Sequence, residues 1–102
     1  MSTKADWIWY DGEIVPYDQA TTHVLSHTLH YGLGAFEGIR AYTQPDGSAG
    51  IWCLEEHMER FHDTLKMLDI QIDFSEEQVL EACHEVLRRN EMTEAYLRPL
   101  AF

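Results

Sequence analysis

Basic residues are scarce in this chain of 102: seven lysines and arginines stand against 18 aspartates and glutamates, a formal net charge of −11. A nucleic-acid binder needs a basic stripe to neutralise phosphates, and there is none. Cysteine is nearly absent too. Cys53 and Cys83 lie far apart in apolar contexts and match no C-x-x-C or zinc spacing. Both are expected to be buried free thiols, as in a reducing compartment. No apolar run approaches membrane-spanning length, and Met1 to Asp6 lacks the apolar core of a signal peptide, so a soluble, cytoplasmic protein is expected. Several catalytic signatures are missing: the P-loop, the nucleophile elbow and H-E-x-x-H. Gly32-x-Gly34 does not open a dinucleotide fingerprint, because Glu37 occupies the place of the third glycine.

What is present begins with punctuation. Trp7 to Tyr10 and Glu13 to Tyr17 flank Asp11-Gly12, a strong hairpin signal, and Pro16 ends the second strand or sets it at an edge. Asp18 to Leu29 has no strong period. It carries His23 and His27, with His30 just beyond, but no cysteine partner or metal motif. Hydrogen bonds to the backbone are therefore the expected use of these histidines, and no metal site is assigned. Gln44 to Ser48 reads as a turn, with Pro45 presetting φ and Gly47 supplying a positive one. Gly50 to Leu54 returns as the second arm of a hairpin.

Two helices follow. Over Glu55 to Leu68, Met58, Phe61, Leu65 and Leu68 recur at three- and four-residue spacing and form a buried stripe, with Arg60 about a third of a turn off it. The second helix starts at a capping box, Ser75 with Gln78, with Phe74 placed to staple onto Val79. Val79, Leu80, Cys83, Val86 and Leu87 form its core face. Arg88 and Arg89 complement its dipole, and Asn90 is the expected stop.

The stretch His30 to Tyr42 concentrates glycine, aromatic and charged residues. An extended run from Phe36 to Tyr42 puts Phe36, Gly38, Arg40 and Tyr42 on one face and Glu37, Ile39 and Ala41 on the other. Pattern alone leaves open both a glycine-kinked strand and a pocket wall. The last segment, Glu94 to Phe102, reads as a strand with Tyr96, Arg98 and Leu100 on one face and Pro99 at an edge or bulge. It stops in mid-strand on an apolar residue, so the chain is expected to be the front part of a longer protein. An arginine fork with a tyrosine hydroxyl matches a carboxylate or phosphate, and an aromatic wall suits a hydrocarbon end. Phe36, Gly38 and Arg40 on one strand, Tyr96 and Arg98 on another and Arg60 on a helix flank together suit a small molecule with a charged end and a hydrocarbon end, such as an amino acid. The fold expected is α+β: an antiparallel sheet with two helices packed on one face.

Five segments together carry a resemblance: Ile8-Trp9 with Gly12-Glu13, Val24-x-Ser26-His27-x-Leu29, His30-Tyr31-Gly32 through Phe36-Glu37-Gly38-Ile39-Arg40-x-Tyr42, Glu56-His57-Met58-x-Arg60-x-His62-Asp63, and Ala95-Tyr96-x-Arg98-Pro99-Leu100. They resemble the N-terminal small domain of branched-chain amino-acid aminotransferases, the fold-type-IV group of pyridoxal 5'-phosphate (PLP) enzymes. The resemblance implies a domain over residues 1–102 and transfer of an amino group between Leu, Ile or Val and 2-oxoglutarate. It implies that Arg60 binds the cofactor phosphate, that Phe36 and Gly38 wall the substrate pocket, and that Tyr96 and Arg98 contact substrate. Tyr31 would enter the partner subunit's site in a homodimer or higher homo-oligomer. Transamination through PLP needs a lysine that forms the Schiff base and then moves the proton. The only lysines are Lys4 and Lys66, neither in the family's context. The resemblance places that lysine beyond Phe102, so no catalytic residue is assigned here and the chain alone is expected to be inactive. A D-amino-acid aminotransferase or aminodeoxychorismate lyase of the same fold group, or a non-catalytic ligand-binding or interaction module, are the alternatives.

Overall fold

A computed structural model describes residues 5–102, apart from the side chain of His27. Lys4 and the rest of the N-terminus lie outside it, so the hydrogen bond expected of His27 concerns a side chain that is not described. Asp11 and Gly12 both take positive φ, 50° and 95°, the requirement of a tight two-residue hairpin turn. They join β1 (Trp7–Tyr10) to β2 (Glu13–Pro16) in antiparallel register. A 3-10 turn over Tyr17–Gln19 follows, and then a short helix, α1 (His27–Tyr31), which ends at Gly32 with φ 65°. Periodicity does not mark α1, because five residues are too few to show a helical repeat.

The expected single strand from Phe36 to Tyr42 is two: β3 (Ala35–Phe36) and β4 (Ile39–Thr43). Likewise the C-terminal segment divides into β6 (Ala95–Leu97) and β7 (Leu100–Ala101). One register nevertheless runs through both pairs. Ala35 faces Ala101, Phe36 faces Leu100, Ile39 faces Leu97 and Arg40 faces Tyr96. The break therefore sets Glu37 opposite Pro99 and Gly38 opposite Arg98. Glu37 N–H donates to the Pro99 carbonyl at 3.0 Å, but proline has no N–H to return the bond. That missing donor interrupts the ladder. Side chains keep alternating through the break, so Phe36, Arg40, Tyr96, Arg98 and Leu100 stay on the exposed face.

β5 (Ala49–Ile51) completes a three-stranded sheet in the order β5-β4-β6. This strand stops earlier than Leu54, because Leu54 already begins α2 (Leu54–Met67). Cys53 caps that helix in the left-handed region, φ 54°, and its side chain is exposed. The expectation that both cysteines are buried is thus corrected: the helix start turns Cys53 outward, while Cys83 is inside and burial pushes its thiol up to about 11.

On α2, Met58, Phe61 and Leu65 are buried as the stripe requires; Leu68 falls at the C-cap and is partly exposed instead. α3 (Glu76–Arg89) carries both halves of its capping box. Ser75 Oγ accepts from Gln78 N–H at 3.2 Å, and Ser75 N–H donates to Gln78 Oε1 at 2.7 Å. Phe74 stands edge-on to Trp9, ring centroids 5.1 Å apart, which docks the first hairpin onto the helices. Asn90 ends α3 and also grips β1, donating to the Trp7 carbonyl and accepting from the Asp6 and Trp7 N–H groups. α2 and α3 pack together over the sheet face formed by Ile39, Ala41 and Leu97. Their apolar burial, at roughly 25 cal/mol per Å², is the main source of stability.

Candidate active site

On the exposed face of the broken ladder, Phe36, Gly38, Arg40, Tyr96 and Arg98 meet, five of the residues singled out from the sequence. Arg98 donates from Nη2 to the Tyr96 hydroxyl at 2.8 Å. Its guanidinium lies 4.4 Å from the Phe36 ring centre and 5.4 Å from that of Tyr96. Arg40 also approaches Tyr96, its guanidinium 5.6 Å from the same ring centre. Cation–π contacts at exposed positions are worth about 0.5–1 kcal/mol each, enough to favour one arginine orientation without locking it. Gly38 makes this arrangement possible. A Cβ there would overlap the Tyr96 hydroxyl and lie 3.0 Å from the ring carbon that bears it. The bare backbone lets the tyrosine lie flat across the strand. The result is an aromatic and guanidinium platform, open to solvent, that can pair a carboxylate beside an apolar surface.

The expected grouping of Arg60 with these residues is corrected: Arg60 is not part of that platform, because Glu37 holds it on the other face of the strand. It belongs to the opposite, helix-bearing face, where Glu37 points inward and is only 5% exposed. Arg60 donates from Nε to Glu37 Oε2 at 2.8 Å and from Nη2 to Oε1 at 2.6 Å. His57 Nδ1 is 2.8 Å from the same Oε1, so that nitrogen carries the proton it donates. The Arg60 hydrogen bonds hold the Glu37 carboxyl below the usual carboxylate range, with His57 adding to the effect and burial opposing it. In turn Glu37 raises the Arg60 guanidinium. The Arg60 side chain itself is 67% exposed, so its remaining N–H groups reach solvent.

Tyr31 stands at the end of α1, 77% exposed, with its ring tilted against that of His30. His23 Nδ1 accepts from the Leu25 N–H and His30 Nε2 meets the Val24 carbonyl, the backbone roles expected of them. Among the described residues no group of three or more His, Cys, Asp or Glu could hold a metal ion, and no helix is long and apolar enough to cross a membrane. A shallow hollow beside α1, lined by Leu25, Leu33, Ile70 and Phe102 together with polar residues that include His23 and Asp69, contains none of the predicted site residues. Sequence reasoning missed Glu37 and His57 as partners of Arg60. The only available signal was an acidic residue assigned to the same strand face as Ile39 and Ala41, where an unpaired charge is costly.

The family model "Amino-transferase class IV" matches residues 34–102, which include the broken ladder, α2 and Arg60. The chain belongs to the class IV aminotransferases. A branched-chain-amino-acid aminotransferase of Pseudomonas aeruginosa is 46% identical over 102 residues, all of this chain and 33% of that protein. The enzyme of the same name from Escherichia coli K12 is 46% identical over 103 residues, again all of this chain and 33% of its own length. The chain thus spans about a third of the curated relatives it matches. A crystal structure of the Escherichia coli branched-chain amino acid aminotransferase superposes with TM-score 0.91 and 44% identity, covering 95% of this chain and 32% of that one. The Thermoproteus uzoniensis branched-chain aminotransferase with norvaline gives TM-score 0.90 at 34% identity, over 97% of this chain and 33% of the other. The α+β fold with antiparallel strands is therefore one that class IV aminotransferases share.

Proposed function

We propose that the full-length protein containing this chain is a PLP-dependent branched-chain amino-acid aminotransferase, exchanging the amino group of Leu, Ile or Val with 2-oxoglutarate. Residues 1–102 form its N-terminal small domain and one wall of its site. The observation that carries this reading is the interlock of Phe36, Tyr96 and Arg98 across the bare backbone of Gly38. It offers an apolar surface and a guanidinium side by side. A pocket serving both half-reactions needs both, because a side-chain carboxylate is tolerated in a dry site only when paired.

When bound, PLP supplies the electron sink for the reaction. The donor set on this chain suits the cofactor's phosphate: an exposed arginine, anchored from beneath by Glu37, with N–H groups to spare. Arg60 would hold that phosphate. Phe36, Gly38, Tyr96 and Arg98 would orient substrate, and Tyr31 would reach the site of a partner subunit in a homodimer or higher homo-oligomer. The lysine that moves the proton would lie beyond Phe102, so this chain alone would not catalyse the reaction. The protein would work in the cytoplasm.

Arg98→Ala in the full-length protein tests the shared pocket. Loss of a charge-assisted contact should lower kcat/KM for glutamate by about 10- to 100-fold and for leucine far less. Equal losses for the two substrates would contradict the reading.

A further inference from the structure

We propose that Glu37 is a positioning residue that aims one edge of the Arg60 guanidinium at a phosphate. This rests on the reading above that Arg60 holds the cofactor phosphate. A guanidinium has two useful edges, each presenting a pair of parallel N–H groups. Glu37 takes the edge formed by Nε and Nη2, at 2.8 and 2.6 Å. The outer edge, formed by Nη1 and the second Nη2 hydrogen, has no hydrogen bond among the described residues. It has the geometry to meet two oxygens of a phosphate.

The clamp is fixed at its base. Glu37 is 5% exposed, whereas Arg60 is 67% exposed, so the carboxylate is the rigid member and the arginine the one being steered. His57 holds Oε1 from a third direction and keeps the carboxylate from turning with the arginine. Glu37 also lies between Phe36 and Gly38 on the interrupted strand. Three consecutive residues would then set the substrate wall on one face and the phosphate anchor on the other. A long exposed arginine carries considerable rotamer freedom, and holding it in advance reduces what the ligand must order on binding. The carboxylate also has an opposing effect, since its charge repels a phosphate. The proposal is that orientation outweighs this repulsion, because one edge of the fork is fully occupied and the other is left aligned.

The test compares dissociation constants of PLP and of pyridoxal, which lacks the phosphate, by titrating the cofactor-free full-length protein spectroscopically. Arg60→Ala should weaken PLP and leave pyridoxal unchanged; if PLP affinity is unaltered, the underlying assignment of Arg60 fails and the proposal fails with it. Glu37→Gln should weaken PLP by about 10-fold, leave pyridoxal unchanged, and add nothing in the Arg60→Ala background. Where Arg60→Ala weakens PLP, three outcomes would overturn the role of Glu37 alone: equal losses for both ligands, PLP binding that is unchanged or tighter, or full additivity in the double variant. Should Glu37→Gln not fold, Glu37→Asp keeps the charge but withdraws it by one methylene. The same phosphate-selective loss is expected, and equal effects on the two ligands would again overturn the proposal.

Discussion

The two faces of the strand pair around Gly38 are built by different physics. On the open face, Phe36, Tyr96 and Arg98 are held by ring contacts, one hydrogen bond between exposed groups, and the space left by a missing side chain. Solvent screens these contacts, so they contribute little to stability. On the inner face, a carboxylate removed from water is tied to Arg60 and His57 by three charge-assisted hydrogen bonds. Removing a partner there leaves a buried polar group unsatisfied, which costs stability. Alternation along one strand thus places an adaptable surface and a rigid anchor within three residues. Damage to the first should change chemistry and spare the fold; damage to the second should change both.

Gly38→Ala breaks the open face most directly. The backbone conformation at Gly38 is not in the left-handed region, so alanine is sterically permitted by φ and the conflict is with Tyr96 alone. Because Tyr96 is half exposed, its ring can swing outward without disturbing the core. On the proposed role of Tyr96 in contacting substrate, a displacement of that size should reduce kcat/KM of the full-length protein by about 100-fold while the melting temperature stays nearly constant. Gly50→Ala is the matched control. Its new Cβ would meet the exposed side chain of Gln44, nearest atom 2.8 Å, which must give up its hydrogen bond from Ser48 Oγ to move aside but lies away from the Tyr96 platform. Steady-state kinetics on both variants decide the point; a Gly38→Ala protein as active as Gly50→Ala would remove the close approach from the mechanism.

Punctuation was the most legible part of this fold. Asp11-Gly12, the Ser75 and Gln78 box and the Asn90 stop are local signals, and each acts where it was expected. The open face was legible as well, since Phe36, Gly38 and Arg40 and then Tyr96 and Arg98 follow a period of two that survives the strand break. What escaped depended on partners distant in sequence. The ladder is interrupted because Pro99 falls opposite Glu37, and this can be seen only once the register is known. The Glu37–Arg60 pair joins the break between β3 and β4 to a helix residue 23 positions on. A sequence can assign each to a face without showing that the two meet. Cys53 was misplaced for a local reason, its left-handed conformation at a helix start.

Acid sharpens the inner face. Glu37 titrates below its ordinary value of 4.5 because Arg60, and after it His57, stabilise the carboxylate. A group whose folded-state pKa is depressed contributes stability that is present above its unfolded value and lost as pH falls through the folded one. The full-length protein should therefore melt higher than its Glu37→Gln variant at neutral pH. The gap should begin to close below about pH 4.5, as the unfolded chain takes up its proton first. Melting temperatures recorded for both proteins between about pH 7 and pH 3 give the comparison. A gap that stays constant across that range would mean the carboxylate charge contributes nothing to the fold.

The smallest effect comes from outside both faces. Ser75→Ala removes the oxygen that accepts the Gln78 N–H and leaves that donor without its partner at the start of α3. Loss of such a cap costs about 1 kcal/mol. α3 packs on α2 and on β1, where Asn90 and the ring contact of Trp9 with Phe74 hold the first hairpin. Neither the Tyr96 platform nor the Glu37 clamp draws a residue from it. Ser75→Ala should accordingly lower the melting temperature by a few degrees and leave kcat/KM and PLP affinity at their original values. Calorimetry and kinetics on the same preparation make the check. A loss of activity larger than the small destabilisation accounts for would show that α2 transmits strain from α3 to Arg60, and the inner anchor would then depend on the whole helical layer rather than on Glu37 and His57.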